Sequence, residues 1–199
     1  MRIMYVHGIG SSGGGNTVNM IKKYFPNDYI YSPDIPTTPI DAFEFIKEAV
    51  KEHNINLIIG TSLGGFYTMM ISGIPKIIIN PAMEAPINID KCIGRGIHEF
   101  LRPRKTGETH YNIDQTFIDE LTYLYKRFFD KWFDFEYRTE TYGVFGTEDK
   151  LINEQEFFKE KYGTTRFYTD TFEHRINEEC FARTVIPILC KIKGVINND

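Results

Sequence analysis

Short runs of uninterrupted apolar residues alternate along this chain with longer stretches in which apolar positions recur every three or four residues. The short runs are Ile3–Val6, Tyr29–Tyr31, Leu57–Ile59, Lys76–Ile79, Tyr142–Phe145 and Thr165–Tyr168, and they predict strands. The longer stretches predict helices near Thr17–Tyr24, Pro39–His53, Leu63–Ser72, Glu154–Tyr162 and Glu178–Ile192. The second helix is the clearest: Thr38 can cap it, Pro39 suits its first position, and Ala42, Phe43, Ile46, Ala49 and Val50 form one apolar stripe. Strands that alternate with helices pair in parallel through right-handed crossovers, and uniformly apolar strands are buried on both faces. The pattern therefore predicts an α/β fold, a three-layer α/β/α sandwich around a mainly parallel sheet of about six strands.

The segment Met83–Arg138 breaks the rhythm. It holds no convincing strand, while Ile113, Phe117, Leu121, Leu124 and Phe128 mark a helical stripe with Asn112 as its candidate cap. A helical insert near 83–138 is expected, able to cap a site. No linker-like stretch divides the chain, so residues 1–199 read as a single domain. A content of 42% apolar and 25% charged residues suits a sizeable core. The net charge of −4, with no dense run of Lys and Arg, argues against nucleic acid as a partner. No apolar stretch reaches the roughly 18 residues of a membrane span, and the first apolar run is too short for the core of a secretion signal. Cys92, Cys180 and Cys190 form neither a CxxC pair nor a Cys/His metal pattern. On one straight helix Cys180 and Cys190 would stand roughly 15 Å apart, too far for a disulfide. Reduced thiols in the cytoplasm, and no metal site, are expected.

Leu57-Ile58-Ile59-Gly60-Thr61-Ser62-Leu63-Gly64-Gly65 reads as a strand, a sharp turn and a helix. Gly60 and Gly64 flank Ser62 two places away on either side, where small residues let the strand and helix backbones approach. Such a turn lifts the Ser62 hydroxyl above the carboxyl edge of the sheet and leaves the Leu63 N–H free at the helix start, where it can stabilise an oxyanion. Gly-x-Ser-x-Gly also arises by chance. The plain alternative is a tight βα turn with Ser62 as helix cap, and the strand–turn–helix context favours the nucleophile.

A serine hydroxyl is a weak nucleophile near neutrality, so it needs a base, and the base needs an orienting acid. Around a serine elbow these follow in the order Ser, acid, His, at the ends of later strands. Tyr142-Gly143-Val144-Phe145 runs into Gly146-Thr147-Glu148-Asp149-Lys150-Leu151-Ile152, which sets Asp149 just past a strand. Thr165–Tyr168 leads through Asp170 and Phe172 to Glu173-His174-Arg175. Among the histidines only His174 follows a late strand; His53 ends a helix, and His98 and His110 lie in the insert. Glu148 and Asp170 are rivals for the acid. Asp149 is favoured because the apolar pair Leu151-Ile152 follows it closely, in a turn that can anchor its carboxylate.

His7-Gly8-Ile9-Gly10-Ser11-Ser12-Gly13-Gly14-Gly15 follows the first strand. Gly8, Gly10 and Gly13 satisfy the dinucleotide pattern GxGxxG, and Asp34 follows the second strand about 20 residues on. Gly14 and Gly15 delay the helix, so the third glycine would fall outside the helix that should hold a pyrophosphate. A nucleotide site also leaves Ser62, Asp149 and His174 as an ordered coincidence. In the hydrolytic reading the same loop donates the second oxyanion N–H, from Ile9, with His7 as a structural support and not the base.

With these residues in place the chain resembles the YqiA-like family of small bacterial esterases, one-domain members of the α/β-hydrolase superfamily. The resemblance rests on His7-Gly8-Ile9-Gly10-Ser11-Ser12, Gly60-Thr61-Ser62-Leu63-Gly64-Gly65-Phe66-Tyr67, Asn80-Pro81-Ala82, Gly146-Thr147-Glu148-Asp149 and Glu173-His174, in order across nearly the whole chain. It departs from the family at Ile9, where an aromatic is usual, and at Phe172 and Glu173, where a glycine and an asparagine are usual. The resemblance implies a compact α/β-hydrolase fold starting at the strand before the oxyanion loop. It also implies an esterase or thioesterase acting on acyl esters, acyl-CoA among them, without metal or cofactor.

The expected function is thus a serine hydrolase, a carboxylic ester or thioester hydrolase acting on a small-molecule substrate through Ser62, His174 and Asp149, with Ile9 and Leu63 N–H groups as the oxyanion hole. Two other readings stand beside it: a catalytically idle hydrolase fold kept for binding, and a dinucleotide-binding protein using Gly8, Gly10 and Gly13. The insert's aromatics, Phe100, Tyr111, Phe117, Tyr123, Tyr125, Phe128, Phe129, Trp132, Phe133 and Phe135, are read first as packing for its own helix and second as an acyl pocket. Arg95, Arg102, Arg104 and Lys105 are read first as solvated loop residues and second as a holder for an anionic headgroup such as a CoA phosphate. Met69 and Met70 are read as packing.

Overall fold

A computed structural model describes residues 1–196, with the side chain of Trp132 outside that description. Its strands are β1 (Arg2–Val6), β2 (Tyr29–Tyr31), β3 (Leu57–Thr61), β4 (Lys76–Ile79), β5 (Gly96–Glu99), β6 (His110–Ile113), β7 (Thr141–Gly146) and β8 (Phe167–Asp170). Six of them form one sheet in the order β2-β1-β3-β4-β7-β8, and every neighbouring pair is parallel. The helices are α1 (Asn16–Tyr24), α2 (Pro39–Glu52), α3 (Leu63–Met69), α4 (Ala85–Cys92), α5 (Gln115–Arg127), α6 (Phe135–Glu140), α7 (Gln155–Tyr162), α8 (Glu178–Cys180) and α9 (Ile186–Ile196). A π-helical turn, Phe128–Trp132, extends α5, and another, Phe181–Val185, joins α8 to α9.

Successive strand residues face opposite sides of a sheet, and here both sides are buried. Met4, Val6, Ile58, Ile78 and Phe145 enter one core with residues of α2, α3, α4, α5 and α7. Ile3, Tyr5, Leu57, Ile59, Ile77, Ile79 and Val144 enter the other with residues of α1 and α9. Burial on both faces is why the central strands read as unbroken apolar runs. This is the three-layer α/β/α sandwich predicted, with a sheet that is wholly parallel.

The insert differs from its prediction. It carries a strand pair, the antiparallel hairpin β5–β6, where a helical segment without strands was expected. Asn112 is part of β6, and the cap of α5 is Asp114, whose Oδ1 accepts the Phe117 N–H at 2.9 Å. Ile113 ends the hairpin, while Phe117, Leu121, Leu124 and Phe128 keep their stripe and are buried. The last sheet strand also lies two residues later than expected, because Gly143 aligns with Phe167 and its N–H reaches back to the Arg166 carbonyl.

The chain crosses outward from β1 to β2 and then returns past β1 to β3. Connections leaving β1 and β3 on opposite sides open a crevice at their carboxyl ends, where open α/β sheets bind ligands. Val6-His7 and Thr61-Ser62 end there.

Candidate active site

Ser62 follows β3 with φ 54° and ψ −124°, a conformation L residues rarely adopt. It persists because the surroundings over-determine it: the Ser62 N–H donates to the Ile79 carbonyl, and the Ser62 carbonyl accepts the N–H groups of Gly65, Phe66 and Ala82. The flanking glycines are steric necessities. A Cβ on Gly64 would lie 2.2 Å from the Val6 carbonyl oxygen, and one on Gly60 would lie 2.6 Å from that of Gly64. Across the crevice, a Cβ on Gly8 would stand 3.4 Å from Ser62 Oγ, so the first loop rests directly against the serine. Ile9 and Leu63 line a cleft together with Ser62.

Asp149 and His174 meet at the same edge. His174 Nδ1 is 2.8 Å from Asp149 Oδ2, and Asp149 Oδ1 accepts the N–H groups of Leu151 at 2.8 Å and Ile152 at 3.0 Å. The turn through Leu151-Ile152 anchors the carboxylate as its sequence suggested. Burial alone would raise the Asp149 pKa, but the His174 contact and the two amides outweigh it and hold the carboxyl below its usual range. The Asp149 side chain is 2% exposed and that of His174 is 23% exposed. With Nδ1 turned to the carboxylate, Nε2 is the ring nitrogen left outside that contact.

The rivals are accounted for elsewhere. Asp170 is held by Arg183 and Thr184, and the Arg183 hydrogen bonds keep its pKa far down. Glu148 is exposed. His7 is buried, and burial lowers its pKa; its Nε2 accepts the Ile35 N–H at 3.0 Å and its Nδ1 lies 2.9 Å from the Gly8 carbonyl. It braces the loop with both nitrogens. Asp34, the acid of the nucleotide alternative, uses its carboxylate to accept the N–H groups of Gly13 and Lys105, and α1 starts only at Asn16.

No hydrogen bond joins Ser62 to His174 among the described residues. What joins them is the end of β4. Asn80 adopts a left-handed φ of 40°, and its Nδ2 donates to the carbonyls of Glu173 (3.0 Å) and His174 (3.2 Å) while its Oδ1 accepts the Gly146 N–H (2.7 Å). Two residues on, the Ala82 N–H donates to the Ser62 carbonyl. The sequence displayed Asn80-Pro81-Ala82 as a motif, but its bracing role shows only in three dimensions. Glu154 was missed altogether. It is buried, accepts the Glu84 N–H and the Asn88 amide, and its pKa is pushed up to about 7, because burial outweighs those donors.

Two clefts meet at Ile9 and Leu63. The first, beside Ser62, is walled mainly by Ala82, Ala85, Ile89, Ile93, Leu151 and Ile152, with Glu154 and Asn88 as polar members. The second runs between the first loop and the hairpin and is lined by Ile35, Thr37, Tyr67, Phe100, Arg104 and Tyr111. Of the insert's aromatics, Phe100 and Tyr111 reach this second cleft, Phe117 and Phe128 are core, and Tyr123 and Phe135 are exposed. The basic residues do not act together: Arg95 pairs with Asp90, Arg102 donates to Asn16, and Arg104 turns inward. Among the described residues no group of three or more His, Cys, Asp or Glu is placed to hold a metal ion, and no helix is long and apolar enough to cross a membrane.

The profile of the uncharacterised protein family UPF0227 matches residues 2–174. The chain belongs to this family. No curated protein matches it. Among solved structures, this UPF0227 chain is similar to Est1E from Butyrivibrio proteoclasticus, at 12% identity and a TM-score of 0.68 over 96% of this chain and 88% of that one. It is similar to an α/β superfamily hydrolase from Oenococcus oeni PSU-1, at 15% identity and a TM-score of 0.62 over 100% of this chain and 93% of that one. It also matches a structure from the metagenome-derived lipolytic enzymes LipS and LipT, at 13% identity and a TM-score of 0.61 over 96% and 93% of the two chains. At such identities the likeness establishes the α/β-hydrolase fold.

Proposed function

We propose that this UPF0227 protein is a serine hydrolase of small acyl esters or thioesters, with Ser62 as nucleophile, His174 as base and Asp149 as orienting acid. The observation that carries the reading is the 2.8 Å contact of His174 Nδ1 with the doubly anchored Asp149 carboxylate, at the sheet edge where Ser62 occupies its strained turn. The similarity to esterases and lipolytic enzymes supports it. Ser62 Oγ attacks the acyl carbonyl as His174 Nε2 takes its proton, and the N–H groups of Ile9 and Leu63 receive the oxyanion. Collapse of the tetrahedral intermediate expels the alcohol or thiol, which takes the proton from His174. Water, activated by the same imidazole, then releases the acid and restores Ser62.

A second reading, an idle hydrolase fold retained for binding, is favoured by the lack of a hydrogen bond between Ser62 and His174. Such bonds often form only once substrate is present. A series of p-nitrophenyl esters and acyl-CoA thioesters, with wild type beside Ser62→Ala, separates the two. Turnover abolished by Ser62→Ala supports the hydrolase. Inert wild type that also fails to label with a fluorophosphonate refutes it.

A further inference from the structure

We propose that the second cleft is a substrate subsite for a carboxylate carried a few bonds from the scissile ester, held by Arg104, Tyr67 and Tyr111. The inference rests on the hydrolase reading and adds a substrate class to it.

Arg104 lies in the β5–β6 hairpin loop, yet it is 8% exposed. Its Nη2 donates to the Ile35 carbonyl at 2.7 Å, its Nε donates to Thr106 Oγ1 and stands 2.9 Å from Glu108, and its guanidinium lies 4.5 Å over the Phe100 ring. These contacts fix the guanidinium along one edge. Nη1, on the other edge, has no hydrogen-bond partner among the described residues. Tyr67 is 4% exposed and also lines the cleft, and its hydroxyl has no partner among the described residues. Burial drives the Tyr67 pKa up, so that hydroxyl keeps its proton. The Tyr111 hydroxyl, likewise without a partner there, lies 3.1 Å from where a Cβ on Gly10 would stand, which places it over the first loop.

Three donors without a protein acceptor line this one cleft, two of them on buried side chains, Arg104 and Tyr67, and together they suit a ligand that accepts hydrogen bonds. The protein's own acceptors nearby are engaged: Asp34 by Gly13 and Lys105, and His7 Nε2 by Ile35. The groups left over are donors, one of them Nη1 of a guanidinium whose Nε side already meets Glu108, and a carboxylate suits a guanidinium N–H flanked by hydroxyls. Distance limits the ligand further. Gly8, Ile9 and Leu63, which surround Ser62, are also walls of this cleft, so only a few bonds can separate the carboxylate from the reacting carbonyl. The phosphates of CoA, at the far end of a pantetheine arm, do not fit that spacing.

The carboxylate can belong to the acyl or to the alcohol half, and paired substrates distinguish them. One arm compares p-nitrophenyl hydrogen glutarate with p-nitrophenyl methyl glutarate, and the other compares 3-acetoxypropanoate with its amide. The expected result is at least a tenfold preference in kcat/KM for the charged member in one arm. That preference should fall about tenfold in Arg104→Gln and about threefold in Tyr67→Phe, which removes one hydroxyl and keeps the ring. Equal or better turnover of the neutral member in both arms, or a preference unchanged in both variants, overturns the subsite. Calorimetric binding of glutarate to Ser62→Ala, weakened about threefold in Ser62→Ala/Tyr67→Phe and about tenfold in Ser62→Ala/Arg104→Gln, reads the subsite without turnover. If wild type hydrolyses nothing while that binding pattern is seen, the hydrolase reading fails and the subsite stands.

Discussion

The proposed site has two sides built by different rules. One is the carboxyl edge of the sheet, where β1, β3 and β4 end in Val6-His7, Thr61-Ser62 and Ile79-Asn80. Its geometry is enforced by backbones so close that Gly60 and Gly64 admit no side chain. The other is the β5–β6 hairpin, where Ile97 is 75% exposed and Leu101 is 66% exposed. The hairpin is held over the first loop by a few polar ties: the Leu101 N–H to the Gly10 carbonyl at 2.8 Å, the Lys105 N–H to Asp34, and Arg104 to the Ile35 carbonyl. Steric necessity thus positions the groups proposed for the chemistry, and polar ties position the groups proposed to choose the substrate. Substitutions at the edge should remove function or fold outright, and substitutions in the hairpin should be mild.

The strongest test of that contrast is Asp149→Asn. It leaves the shape and removes the charge that orients His174, so kcat should fall on the order of 10³–10⁴-fold, with fluorophosphonate labelling slowed in parallel. Activity within tenfold of wild type would remove Asp149 from the triad. Next, Gly64→Ala should destabilise by about 3 kcal/mol or more in urea unfolding, because the new Cβ would lie 2.2 Å from the Val6 carbonyl oxygen and 2.5 Å from that of His7. A loss below about 1 kcal/mol would mean the elbow can relax, and the steric argument would collapse.

A smaller effect concerns Glu154, in the cleft beside Ser62. Burial pushes its carboxyl pKa up to about 7 in the fold, against an ordinary 4.5. Between those pH values the folded state keeps a proton the unfolded chain has released, so this group lowers stability as pH rises through the window, by about 3 kcal/mol in all. His7 works in the opposite sense. Burial lowers its pKa below 6.5, so the unfolded chain takes up a proton first as pH falls, and that stability is lost toward acid. Asp149, with its pKa lowered from 3.8, loses its contribution only in more acidic solution. The clean reading is therefore the difference between Glu154→Gln and wild type: the variant should gain about 2 kcal/mol on wild type from pH 5 to pH 8, and a flat difference rejects a buried, proton-holding Glu154. The least effect belongs to the hairpin. Ile97→Thr should shift stability by less than about 0.5 kcal/mol, and a loss beyond about 1.5 kcal/mol would show the hairpin to be as tightly determined as the edge.

The same contrast explains what could be read from the chain. The parallel sheet was legible because burial on both faces leaves unbroken apolar runs, and Ser62 because its flanking glycines cannot be replaced sterically. Asp149 and His174 followed from their positions after late strands, and the structure brings that pair together. The hairpin left no such trace: of its eight paired residues only Ile113 is buried, so no alternation of apolar and polar positions survives in it. Once Ile113 belongs to a strand, α5 must start later, which moves the cap from Asn112 to Asp114. Glu154 opens a helical pattern and would be solvated by local rules. It is buried because Glu84, 70 positions away, is folded onto it.

Asn80 carries a consequence for the order in which the molecule is made. It ties the end of β4 to carbonyls 93 and 94 positions further along, among the longest loops that any side-chain hydrogen bond here closes. Closing long loops is entropically unfavourable and slow, and must wait for the intervening elements to form. During synthesis the serine turn can therefore assemble from β1, β3 and β4 while the imidazole is still absent. The proposed Ser62 and His174 should come together in one late step of folding, when the histidine segment docks onto Asn80.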